Sequence, residues 1–173
     1  MKVFAAVLTI ALLPSVPMPL AKGDTVKITI EMTLQEPIEI TDSAVRQFNI
    51  WSGPGTFLNG VEGRQGFIID WASRIDEAPV GLHHYKVSFY EGCESNEPSA
   101  CRTTEPSLAY VVSYDYNPST GEGFVYLPGR GDEFVQLNTF HIYRGRGYEG
   151  HWFRAAKAWD DFVRQIIART TAR

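Results

Sequence analysis

Apolar and polar residues alternate most cleanly between Thr25 and Met32. Val26, Ile28, Ile30 and Met32 fall on one side; Thr25, Lys27, Thr29 and Glu31 fall on the other. A period of two predicts a half-buried strand. Pro37–Ile40 continues as a short extended piece. Thr41 or Asp42 can cap a brief helix over Ser43–Phe48, because either side-chain oxygen accepts from the free amides of a first turn. Gly and Pro dominate from Trp51 to Gly66, which reads as a loop. Gly66–Ala72 is apolar on both faces except at Asp70, the pattern of an interior strand.

Three further runs, His84–Tyr90, Leu108–Tyr116 and Gly123–Leu127, predict consecutive antiparallel strands. The first two form a long hairpin, and Cys93 and Cys101 sit in its loop. Asn117–Gly121 has turn residues at every position. Pro128–Asp132 is the next turn, and Phe134–Tyr143 offers one or two more strands. From His151 to Ala168, Trp152, Ala155, Ala156, Trp159, Phe162, Val163, Ile166 and Ile167 recur at spacings of three and four. That spacing predicts a helix with a wide apolar stripe to lay on a sheet. Asp160 and Arg164 stand one turn apart with the acid first, the favourable order. The expected fold class is α+β: an antiparallel β-meander sheet with a short N-terminal helix and a C-terminal amphipathic helix packed on the sheet.

The first residues follow a different pattern. Lys2 precedes an apolar run, Val3–Leu13, which Pro14 ends. The run is too short to cross a bilayer and reads as the core of a secretory signal, with residues 1–21 removed and 22–173 forming a single domain. The expected location is secreted or periplasmic, with no stable membrane span after removal of the signal. Two Cys in an exported chain are expected to pair, Cys93 with Cys101. Their spacing matches no zinc pattern, so no metal is expected.

The chain has 173 residues and a formal net charge of −4, with 21% charged and 44% hydrophobic residues. The charge is segregated. Residues 22–140 carry eight Lys and Arg against seventeen Asp and Glu, whereas residues 141–173 carry seven against three. A net acidic chain argues against nucleic acid as a partner. The basic C-terminal element points instead to an anionic group. Arg144, Arg146 and Arg154 surround the predicted start of the terminal helix, where free amides and the helix dipole favour anions. These three are the candidate anion- or partner-binding residues.

Other motifs carry less. Gly145-x-Gly147-x-x-Gly150 has the letters of a dinucleotide fingerprint but no second parallel strand and no acid about 20 residues on, so no cofactor is expected. Arg130-Gly131-Asp132 is the cell-adhesion tripeptide, made of residues that turns use anyway. His83 and His84 are adjacent in a strand, so they point to opposite faces and cannot share one metal. No serine stands in a nucleophile-elbow context. Asp70 and Asp115, each on a predicted strand, are the candidates for a carboxylate pair of the kind that cleaves glycosides, which needs two acids roughly 5–9 Å apart.

The stretches Pro37–Asp42, Gly53-Pro54-Gly55, Gly66–Trp71, Pro118–Gly121 and Val125–Gly129 resemble those of a set of uncharacterised bacterial exported proteins. The resemblance spans most of the chain after the signal. It implies a bacterial envelope or secreted location, and it implies no activity or cofactor. The Cys93–Cys101 loop reads as an elaboration of the shared hairpin. The functional expectation is an exported non-catalytic domain that binds an unknown protein or an anionic envelope component. The alternative is a small secreted or periplasmic hydrolase acting on envelope glycan or a related polymer, with Asp70 and Asp115 as its acids.

Overall fold

The structure, a computed structural model, describes residues 24–48, 57–58, 61–62, 68–92, 105–139 and 147–171. The alternating segment forms β1 (Asp24–Glu31), and the piece after Pro37 forms β2 (Ile38–Ile40). Ser43–Gln47 is a 3-10 turn, capped as the sequence implied: the Asp42 carboxylate accepts from the Ala44 amide at 2.8 Å. The Gly/Pro-rich stretch contains a two-stranded hairpin, β3 (Phe57–Leu58) and β4 (Val61–Glu62), where a loop was expected. The three-strand meander is present as β5 (His83–Gly92), β6 (Ser107–Asn117) and β7 (Glu122–Tyr126). It is followed by a short helix α1 (Val135–Asn138), a strand β8 (Trp152–Arg154) and the terminal helix α2 (Lys157–Thr171).

Six strands make one antiparallel sheet in the order β2-β1-β5-β6-β7-β8. The fold is therefore α+β. Register assigns the faces, because side chains two apart share one. Ile28, Phe89 and Tyr110 are aligned across β1, β5 and β6, as are Ile30, Val87 and Val112. Tyr85, Tyr114, Val125 and Phe153 extend that face across β7 and β8. Trp159 and Val163 of α2 are fully buried within the core cluster these residues form, with Phe162, Ile166 and Ile167 packed against it. The opposite face carries Lys27, Glu31, Lys86, His84, Asp115, Glu122 and Arg154.

Asp160 fastens α2 to the sheet. It accepts from the Tyr114 hydroxyl at 2.6 Å and pairs with Arg164 at 2.6 Å. Burial, reinforced by the Asp160 carboxylate, pushes the Tyr114 phenol far above its ordinary range, so it stays a donor. Position 123 has to be glycine here: a Cβ would stand 2.0 Å from Asp160 Oδ1 and 2.9 Å from the Tyr114 ring.

Three further elements differ from the sequence reading. The helix expected over His151–Ala168 starts only at Lys157, and Trp152–Arg154 is a strand. The open edge of β7 takes these residues: Phe124, Val125 and Tyr126 pair with Arg154, Phe153 and Trp152. Spacing alone could not reveal that demand for backbone partners. Gly66–Ala72 is not an interior strand in its described part. Ile68 and Ile69 are fully buried, but the segment's only strand-like pairing among the described residues is a single bridge, Ile69 to Ala155 just after β8. Asp70 then bends the chain by accepting from the Ala72 amide at 3.1 Å. The strand expected from Phe134 onward is α1 instead, whereas residues 140–143 of that expectation lie outside the described residues.

The reason for α1 lies in β6. Pairing with β7 stops at Ser113, which leaves the Val111 backbone beyond the end of the partner strand. Asn138, fully buried, fills the gap. Its Oδ1 accepts from the Val111 amide at 2.8 Å, and its Nδ2 donates to the Val111 carbonyl. One side-chain amide thus replaces a strand residue and anchors the helix that carries it.

Candidate functional site

The residues singled out from sequence do not assemble. Asp70 is exposed and its carboxylate is turned to the Ala72 amide. Asp115 pairs with Phe124, Phe124 pairs with Arg154, and the Arg154 carbonyl receives the Asp70 amide at 3.0 Å. Three inter-strand spacings, about 14 Å, therefore separate the two backbones. The carboxylates do not close that gap: Asp115 turns to His84 on β5, away from β8, and Asp70 turns back to its own Ala72 amide, so the two do not form the close pair that glycoside cleavage requires. Arg154 is not at a helix N-terminus. It lies on β8 and pairs with Glu122, and this contact holds the Glu122 carboxyl below its usual range. Arg144, Arg146, Cys93 and Cys101 lie outside the described residues.

Asp115 does meet a histidine. It is 1% exposed in mid-sheet, and His84, its neighbour on β5, places Nδ1 3.1 Å from Oδ1. The His84 side chain is 74% exposed. Burial raises the Asp115 carboxyl above its ordinary value, and the His84 imidazole offsets only part of that. A proton therefore stays on folded Asp115 at pH values where the unfolded chain has lost it. The native state binds more protons in that window, so this residue's contribution falls as pH rises through it. Asp115→Asn keeps the shape and removes the charge. It should be more stable than the parent at pH 7 by about 1 kcal/mol. The difference should shrink toward pH 4, as read by urea titration at several pH values. A variant less stable than the parent at pH 7 would contradict this.

A built concavity lies elsewhere, around α1. It has a volume of about 720 Å³ and is lined by Arg130, Gly131, Val135, Gln136, Thr139 and Glu149. This is within the range of small-ligand sites. Each wall is held from behind. The Pro128–Asp132 turn is closed by Asp132, whose Oδ2 accepts from the Tyr126 hydroxyl at 2.7 Å and the Gly129 amide at 2.8 Å. The Tyr126 hydroxyl, followed by that amide, holds the Asp132 carboxyl below its usual range. The Arg130-Gly131-Asp132 acid is thus committed internally. Gly129 and Gly150 cross so closely that a Cβ on Gly129 would stand 2.6 Å from Gly150 Cα. Tyr148, next to Glu149, packs on Trp71 and Phe153. Asn138 anchors α1, and Phe134 enters it with φ of 66°, a left-handed conformation that costs a bulky residue about 1–2 kcal/mol.

The charges on this wall are free. Among the described residues Lys27, Arg74, Lys86, Arg154, Lys157 and Arg164 each pair with a carboxylate. Among the described residues neither Arg130 nor Glu149 makes an ion pair, with each other or with any other group. Sequence reasoning saw Arg130 only as part of a turn. What distinguishes it is an unpaired guanidinium on the wall of a concavity, which no spacing encodes. Among the described residues there is no group of three or more metal-ligating side chains, and no helix is long and apolar enough to cross a membrane. Compared with family models, curated proteins and solved structures, the chain matches none.

Proposed function

We propose that this chain is an exported domain that binds a partner through an anionic group, taken up at the cavity beside α1. The observation that carries the reading is Arg130: a guanidinium without a carboxylate partner among the described residues, on the wall of a preorganised cavity. An unpaired cation in an acidic chain is a locally favourable place for a carboxylate or phosphate. Arg144 and Arg146 belong to the same reading. They lie in sequence between Thr139 and Glu149, which both line the cavity. The partner is an unknown protein or an anionic envelope component, not nucleic acid. The hydrolase alternative loses its support with the separation of Asp70 from Asp115.

Arg130→Ala should leave thermal unfolding unchanged and weaken binding of poly-glutamate in low salt by about tenfold. The Arg144→Ala, Arg146→Ala pair should weaken it further. The parent's binding should fall as salt is raised, because exposed charges are screened. Undiminished binding in Arg130→Ala would remove this reading.

Export is part of the proposal, supported by the apolar run Val3–Leu13 behind Lys2. It brings the Cys93–Cys101 bond with it. Thiol titration of the unfolded, unreduced protein should find no free thiol. Two free thiols, or a bonded dimer on a non-reducing gel, would exclude the intramolecular bond.

A further inference from the structure

We propose that His84 and Asp115 form a proton-operated latch, which holds the first residues of β5 on β6 while the imidazole is protonated and loosens them when it is not. Asp115 is 1% exposed, so its carboxylate has no recourse to water, and no donor among the described residues meets its Oδ2. The His84 side chain is 74% exposed and exchanges protons with the solvent, and its Nδ1 stands 3.1 Å from Asp115 Oδ1. A buried carboxylate is thus coupled to a proton that the solvent controls.

The surrounding charges leave His84 as the counter-ion. Side chains two apart along a strand share a face. On β5 the other cation of that face, Lys86, pairs with Glu31 at 2.9 Å. His83 is adjacent to His84 and points to the opposite face. On β7 the residue paired with Asp115 is Phe124, which is apolar. Glu122, on the same face, is taken by Arg154 of β8, and the Tyr126 hydroxyl is given to Asp132. On β6 itself, Ser113 and Asn117 carry no charge. Neither does α1, Val135–Asn138, which packs on β6. When the imidazole loses its proton, the carboxylate keeps its charge and its burial but has no cation. Removing one partner of a buried pair costs more than the pair contributes. The closed pair binds that proton more tightly than the open one, so acid closes the latch and rising pH opens it. At lower pH Asp115 takes up a proton itself, which its burial favours, and the latch stays shut. His84 is the second residue of β5, so the loss falls on a strand end, which opens more readily than the middle of a central strand.

Amide hydrogen exchange of the full chain, corrected for the intrinsic pH dependence of exchange, tests this between about pH 5 and about pH 8, where imidazoles change charge. His83–Tyr85 pair with Tyr114–Tyr116. Protection of these amides should fall about tenfold relative to that of Val87 as the pH rises. Asp115→Asn, which carries no charge, should keep its protection across the range. His84→Gln should lose protection at lower pH than the parent, because only the proton on Asp115 is then left to relieve the burial. A parent whose protection does not change with pH would overturn the proposal. So would an Asp115→Asn protein that still loses protection, or a His84→Gln protein that follows the parent's profile.

Discussion

Trp159→Ala should destabilise the protein by about 3–5 kcal/mol, the cost of deleting a large buried ring. Trp159 is fully buried and touches both layers. Phe48, which follows the 3-10 turn, meets it edge-on with centroids 5.0 Å apart and planes at 83°. Phe89 of β5 lies 5.5 Å away, and Tyr114 of β6 meets it edge-on at 6.1 Å. Alanine would leave a cavity bounded by rings on a rigid sheet, which cannot collapse to fill it. Part of the loss is returned, because nothing among the described residues accepts a hydrogen bond from the indole N–H. Trp159→Phe should therefore cost clearly less than Trp159→Ala. Urea titrations with an unchanged slope would give both values. A loss below 1 kcal/mol in the alanine variant would contradict the packing described.

Asn138→Ala should cost about 2–4 kcal/mol although it deletes only an amide. Two buried backbone groups of Val111 would lose their partners, and each unmet group costs about 1–3 kcal/mol. Asn138→Leu should do no better, since apolar bulk restores neither bond. Asn138→Asp keeps an acceptor for the Val111 amide but cannot donate to the carbonyl, and it buries a charge. The expected signature is local as well as global. Exchange of the Val111 amide should accelerate more than that of Val87 in central β5. Because Val135 and Gln136 share α1 with Asn138, ligand binding at the cavity should weaken in the same variants. A stable Asn138→Ala protein with a protected Val111 amide would show that the substitution for a strand residue is not needed.

Much of the fold was legible without coordinates. The meander strands stand where the alternation of His84–Tyr90, Leu108–Tyr116 and Gly123–Leu127 put them, within about two residues at each end. The apolar stripe of α2 is where its spacing put it from Trp159 onward. Asp160 and Arg164 pair as their spacing implied, and only the structure adds the Tyr114 hydroxyl between helix and sheet. The misreadings share one cause. Trp152, Ala155 and Ala156 fit a helical period and Phe134–Tyr143 a strand, but in both places a sheet edge decided. β7 needed a partner and took Trp152–Arg154 as a strand, whereas the end of β6 found its partner in an Asn side chain and so left α1 free to be helical.

The site was less legible than the fold for a related reason. Local periodicity reports which face of an element meets the core, and that is a property of neighbours in sequence. Whether a charge has a partner depends on residues far apart in the chain. Arg154 reads as a free cation until Glu122, 32 residues earlier, is found beside it, and Arg130 reads as an ordinary turn residue until no carboxylate is found beside it among the described residues. The sequence by itself determined the α+β class, the order of the meander and the identity of the helical stripe, because burial of apolar surface follows the period of each element. Only the tertiary structure decided where α2 begins, that Asp70 and Asp115 stand apart, and that Arg130 and Glu149 share one wall, because these depend on backbone groups and charges finding partners across the folded chain.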